Sequence, residues 1–324
     1  MGGDASPTPV MFESDLMSDT EAATPVRASK VHELEDAISI LVPDRCESLW
    51  VGGMHMHNVP MALVRECIRQ GKRFETLYAA PSASLAADLL IGAGLVERVM
   101  CGYIGFEHIG LAPAFRRAAE SAMPPVRIVE VDSGSLLLGL QAGASGQPFA
   151  PLPPGLEGTD LPGAAPDFYR QITDPFNNTP ALAVPAIRPA VALIHCQQAD
   201  EYGNGLFKGS QFADRLLALA SDTVIMQVEG VIDNGQVIKY PLQTGVPAFR
   251  TSAVVEVNFG CHPTSSHRYY NYDDVHLRLY LQAAATEEGF NGYLKQYVTG
   301  PEDQEEYMRR VQNQDWSSIT ELGG

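Results

Sequence analysis

Between residues 48 and 131 short apolar runs alternate with helix-like segments, and this alternation constrains the fold more than any other feature of the chain. Runs at 48–51, 74–79, 97–104 and 126–131 have the apolar, β-branched and aromatic character of strands. Segments at 60–70, 84–93, 113–122 and 134–142 repeat apolar residues at helical spacing, with Pro60 and Pro113 at starts and Gly71 and Gly94 at stops. A helix between consecutive strands is the crossover that parallel pairing requires. The expected fold is therefore α/β: an open, mostly parallel sheet with helices on both faces. Strand-like runs at 181–187, 191–195, 223–228 and 252–257, with helices at 31–41, 212–220, 274–285 and 287–297, extend it.

These elements bound one ordered domain at 30–300. Residues 1–29, rich in Pro, Ser, Thr, Ala and acids, read as a disordered or loose leader, and 301–324 as a polar tail that packs late or not at all. The stretch 143–166 is dense in Pro and Gly and reads as a functional loop or a linker between two halves.

A formal charge of -17 argues against nucleic acid and anionic membranes as partners. No apolar run approaches the roughly 18 residues of a membrane span, and the N-terminus lacks the basic-then-apolar layout of a secretion signal. Cys46, Cys67, Cys101, Cys196 and Cys261 are odd in number and widely scattered, as expected of reduced, buried thiols. The expected compartment is the cytoplasm.

Two places in this frame invite chemistry. Gly52-Gly53 follows the strand at 48–51 and precedes the helix that opens at Val59-Pro60. A glycine pair there admits positive φ and a close ligand, and N–H groups near a helix start suit a developing negative charge. Met54 could line an acyl pocket, and His55 with His57 has the spacing of a metal-ligand pair; without a third ligand nearby, polar loop residues or substrate contacts are the better expectation, and no metal is expected. The second place is Gly105-Phe-Glu-His-Ile-Gly110, which puts Glu107 and His108 at the carboxyl end of a strand, where open α/β sheets bind ligands. A glutamate in a partly apolar cleft can work as acid or base, with a neighbouring histidine sharing the task. His195, ending a buried strand, reads as a core or hinge histidine, and Asn204 as turn chemistry. The stretch 262–265, with Tyr269, Tyr270 and Tyr272 beyond it, reads as an interface rim.

Several of these signals fall into one order: the Gly52-Gly53 to Pro60 turn, Gly139-Leu-Gln-Ala with Pro148-Phe149, Gly158-Thr-Asp-Leu161, Asp174-Pro-Phe176, Val184-Pro-Ala-Ile187, His195-Cys-Gln-Gln-Ala-Asp-Glu-Tyr-Gly-Asn204 and Cys261-His-Pro-Thr-Ser265. From about residue 31 to 298 the chain resembles the alpha subunit of family I CoA-transferases, in the branch of glutaconate and 3-oxoacid CoA-transferases. That resemblance implies a homologous beta subunit, an active site shared between the two, a coenzyme A thioester as substrate with a small carboxylic acid as acceptor, and no permanently bound cofactor. It also implies a mechanism in which the thioester is attacked by a glutamate of the beta subunit, so that this chain supplies oxyanion donors, Gly52 and Gly53 among them, and part of the acyl pocket.

The family's Glu-Gly turn has no convincing counterpart here: Glu157-Gly158 and Glu229-Gly230 have the letters without the context. Related ring-opening hydrolases of steroid catabolism carry a glutamate in Asp-Glu-Gly before the Gly-Leu-Gln helix. This chain has Asp132-Ser133-Gly134, so Ser133 takes that place as a substrate contact and cannot act as the carboxylate. The resemblance thus ranks a transferase subunit first, a CoA-thioester hydrolase using Glu107 second, and a non-catalytic scaffold subunit third.

Overall fold

The computed structural model describes residues 27–123, 125–312 and 319; the expected leader falls almost wholly outside the described residues. The strands run β1 (Arg45–Val51), β2 (Arg73–Ala79), β3 (Val96–Cys101), β4 (Arg127–Glu130), β5 (Phe149–Pro151), β6 (Arg170–Thr173), β7 (Pro180–Pro185), β8 (Val191–Asp200), β9 (Gly205–Leu206), β10 (Thr223–Ile232), β11 (Thr244–Val246) and β12 (Ala253–Glu256). The helices are α1 (Leu34–Leu41), α2 (Met61–Arg69), α3 (Leu85–Gly92), α4 (Pro113–Glu120), α5 (Ser133–Ala144), α6 (Leu161–Ala164), α7 (Asp214–Ala220), α8 (Asn234–Lys239), α9 (Asp274–Ala283), α10 (Glu287–Tyr297) and α11 (Gln304–Val311).

Seven strands form a parallel sheet in the order β12-β10-β8-β1-β2-β3-β4. The chain builds outward from β1 through β4, then returns to lay β8 on the other side of β1. The gap between β1 and β8 is thus the topological switch point, where ligands enter open α/β sheets. β1 pairs with β8 only as far as Val51↔Leu193; beyond it the antiparallel pair β9–β11 borders the outer half of β8.

Strand side chains alternate between two apolar cores. Leu49, Leu193, Ile225 and Val255 face one, built with α1–α4, α9 and α10, while Trp50, Ile194, Met226 and Val254 face the other, against α5 and α7. Both faces of the sheet are covered, as the alternation predicted. Two of the sequence motifs prove to be one packing joint: a Cβ on Gly139 or Gly143 of α5 would stand 2.8 Å from Pro185 O or 2.0 Å from Ile187 O, so glycine lets the strand linker lie directly on the helix. The Ile187 N–H donates to Gly139 O across that joint at 2.8 Å.

Three expectations need correction. The stretch 143–166 is not structureless: it carries β5 and α6, and β5, β7 and β6 form a separate antiparallel sheet that takes the 181–187 run out of the main sheet. The first part of the polar tail packs, because α11 buries Tyr307 and Val311 and sets the Tyr307 ring 3.8 Å from the Arg65 guanidinium carbon; most of 313–324 lies outside the described residues. Its charges lie on the outer face, which is why the composition reads as solvated. Finally, 262–265 is interior: His262 is fully buried, bonded to Tyr307 Oη at 2.7 Å and Asp273 at 3.1 Å.

Candidate functional site

β1 ends at Val51, and its next two residues cross the switch point. The Gly52 N–H donates to Leu193 O at 2.8 Å, and the Gly53 N–H to Asp214 Oδ1, also at 2.8 Å. Both donors expected for an oxyanion are therefore satisfied within the chain, which corrects that part of the sequence reading. The glycines are needed for space: a Cβ on Gly52 would stand 2.2 Å from Asp214 Oδ1, and one on Gly53, at φ +78, 2.5 Å from His57 O. Met54 and His57 then exchange backbone hydrogen bonds of 3.0 and 2.9 Å, closing a tight loop in which His55 and Asn58 hold positive φ.

The loop's side chains spread across the carboxyl edge. His55 Nε2 meets Glu107 Oε1 at 2.9 Å, so two of the expected site residues come together. Glu107 is itself at φ 51, and its N–H donates to Tyr103 Oη at 3.2 Å, which fixes the carboxylate beside the histidine. Positive φ in non-glycine residues costs of order 1 kcal/mol each and persists where surrounding contacts enforce it. His108 lies exposed next to it in the same turn and does not join the pair.

Ser133 opens α5 below a helix start capped by Asp132, whose carboxylate accepts from the Ser135 N–H at 2.8 Å. It packs against Gly102, where a Cβ would meet its Oγ at 2.7 Å, so it sits on the same edge two strands from the glycine turn. Met54 lines a groove with Pro81, Leu137, Leu138, Gln141 and Phe212, an apolar trough between α5 and the segment leading into α7.

Several residues that the sequence did not single out complete the edge. Asp214 is fully buried beneath the glycine turn, and burial pushes its carboxyl up to about 7 against the opposing Gly53 hydrogen bond. Its second oxygen has no partner among the described residues. His57 Nδ1 bonds Ser265 Oγ at 2.7 Å, and burial lowers its pKa, with Glu107 opposing. Asn58, fully buried, ties the loop to β8 and to His267. Only an acid at a helix start and a His/Tyr-rich stretch signalled these positions.

His195 is buried on β8, as read, with Nε2 on Ser266 Oγ at 2.9 Å and burial pushing it down to about 3. With Glu229 and Cys261 it makes a trio within metal-ligand reach. Glu229, however, already accepts from Tyr270 Oη at 2.6 Å and Phe259 N–H at 2.8 Å, so the trio is a satisfied hydrogen-bond network. All five cysteines are free and buried, and no helix among the described residues is long and apolar enough to cross a membrane.

A parallel sheet with a glycine turn at its switch point, an acid–histidine pair joining that turn's loop to the loop after β3, and an apolar trough beside them have the layout in which open α/β proteins take ligands. The coenzyme A transferase family model matches residues 31–257, and the chain belongs to that family. It is 34% identical over 257 residues to the A-type subunit of the 3-oxoadipate CoA-transferase of Pseudomonas knackmussii, covering 79% of this chain and 89% of that one. It superposes on glutaconate coenzyme A-transferase of Acidaminococcus fermentans with a TM-score of 0.81 at 26% identity, over 87% of this chain and 93% of the other. A protein of Archaeoglobus fulgidus is 35% identical over 287 residues, 88% of this chain; the chain spans 62% of that relative's length.

Proposed function

We propose that this chain is the A-type subunit of a two-subunit CoA-transferase that moves CoA between an acyl-CoA and a small carboxylic or 3-oxo acid. The observation that carries the reading is the nearly end-to-end superposition on glutaconate coenzyme A-transferase, TM-score 0.81. The site supports it. Glu107 is engaged with His55 and its side chain is 44% exposed, which suits a wall of a cleft better than a desolvated nucleophile. The attacking glutamate therefore belongs to a homologous beta subunit, and Gly52, Gly53, Met54, His55 and Ser133 shape the substrate side. With the glycine N–H groups occupied, the oxyanion donors come from the partner or from a rearranged turn. The protein acts in the cytoplasm, uses coenzyme A as substrate and keeps no permanent cofactor.

A second reading is a CoA-thioester hydrolase in which Glu107 activates water, and the observation favouring it is the 2.9 Å Glu107–His55 pair, a geometry suited to proton transfer. His108 lies beside that pair without contact and would act only after the loop moves.

Trapping separates the readings. The chain is purified with the neighbouring reading frame's product, incubated with acyl-CoA, and treated with borohydride or hydroxylamine. A glutamyl-CoA adduct on the partner supports transfer; turnover without an adduct overturns it. Glu107→Gln should lower transfer by less than about 10-fold but hydrolysis by about 100-fold or more. A complex inert toward every acyl-CoA would mark a scaffold.

A further inference from the structure

Behind the loop runs a chain of amides whose orientation is fixed by backbone groups. The Lys208 N–H donates to Gln197 Oε1 at 2.8 Å, so Gln197 Nε2 is the donor to Asn58 Oδ1 at 3.0 Å. Asn58 Oδ1 also accepts from the His267 backbone N–H at 3.1 Å, and Asn58 Nδ2 donates to Ser210 O at 3.2 Å. Each assignment agrees with the others, which leaves Asn58 Nδ2 as the donor facing His267 Nδ1 at 3.2 Å. That nitrogen must offer its lone pair, and the ring proton of neutral His267 must sit on Nε2.

The ring thus held is half-buried and lies between the two halves of the site. It packs 5.6 Å from the His57 ring on one side and 5.7 Å, centroid to centroid, from Phe212 on the other. Phe212 is a wall of the apolar trough that Met54 shares. Among the described residues nothing engages His267 Nε2. Burial lowers the pKa of His267, and the neighbouring His57 lowers it further, so the neutral ring is the resting form.

We infer that His267 is a substrate-facing hydrogen-bond donor, locked with its proton on Nε2 by the Lys208–Gln197–Asn58 relay, and that it recognises an oxygen acceptor on the acyl group, a 3-oxo carbonyl or a distal carboxylate. Asn58 and Gln197 are its positioning residues. The substrate half of this inference rests on the transferase reading; the tautomer does not.

The test has two arms, both on the complex with its partner subunit. With ring-15N histidine, and His267 assigned by the His267→Gln variant, the wild type should show an unprotonated Nδ1 and a protonated Nε2 at neutral pH. Asn58→Asp, which puts an acceptor where the donor was and tolerates the positive φ, should reverse that pattern. In the second arm CoA transfer is measured to 3-oxopentanoate and to pentanoate. His267→Ala should reduce the preference for the oxo acid over pentanoate about 10-fold or more by kcat/KM, and His267→Gln should restore part of it. A protonated Nδ1 in the wild type, or an unchanged preference in His267→Ala, overturns the inference. If neither acid accepts CoA, the transferase reading fails and the tautomer alone decides the donor assignment.

Discussion

The molecule holds two groups of histidines, and they are built in opposite ways. His262 and His276 lie sealed under α9–α11, each bonded to a tyrosine, at 2.7 Å to Tyr307 and 2.9 Å to Tyr293, with Asp273 and Arg65 beside them. Burial pushes His276 down to about 3 and lowers His262 as well. His55 and His57, on a loop with positive φ at His55 and Asn58, and His267, from a distant segment packed against it, instead ring the carboxyl edge of the central strands, partly buried. Identical side chains serve as mortar in one place and as presented groups in the other. What separates them is how completely the fold seals each ring from solvent and how much backbone strain it tolerates to present the open ones.

The largest expected effect falls on the sealed cluster. Tyr307→Ala removes a buried ring, its stacking on Arg65 and the bond to His262, and should cost about 4 kcal/mol in urea unfolding. Transfer per folded molecule should stay within about 2-fold, because the cluster lies away from the cleft. A small loss of stability would mean that α11 is the loose tail its composition suggests.

At the open edge Gly53→Ala should act the other way round. The added Cβ collides with His57 O, the loop must shift, and transfer should fall about 100-fold. Thermal melting with intact activity would show that the turn's shape does not govern the site.

The pH dependence of stability sharpens the contrast. The Asp214 carboxyl is raised to about 7 by burial, so its contribution is fully present below the unfolded value of about 4 and is lost as pH rises through 7. His276, held near 3, contributes above its unfolded value of about 6.5 and loses that contribution as pH falls toward 3. Asp214→Asn should therefore gain on the order of 4 kcal/mol over the wild type at pH 8 relative to pH 4. Equal pH profiles for the two proteins would place a second group under the turn.

The smallest effect isolates backbone conformation from crowding. Gly94 ends α3 at φ +69 with nothing within 4 Å of where a Cβ would stand, so Gly94→Ala should cost about 1 kcal/mol in unfolding and leave transfer unchanged. Set beside Gly53→Ala, it measures how much of the turn's cost is collision.

Much of the architecture was legible because the physics that encodes it is local. Apolar runs of strand length separated by helical spacing can only be satisfied by a covered parallel sheet, and the glycine pair marked the turn at its switch point. Glu107 and His55 were each visible as residues at a strand's carboxyl end; that they meet at 2.9 Å was not, since 52 positions separate them and only the pairing of β1, β2 and β3 brings their loops together.

Other features were decided in three dimensions alone. The charged face of α11 masks a buried one that needs Arg65 from α2 and His262 from a distant loop. Asp214 could not be read as a prop for the glycine turn, because the Gly53 N–H it holds lies 161 residues earlier. His267 gains its meaning from Lys208, Gln197 and Asn58, contributed by three separate segments. Composition and periodicity report what a residue prefers next to its neighbours in sequence. Which nitrogen keeps its proton, and which carboxylate loses its water, depends on what the finished fold packs against it.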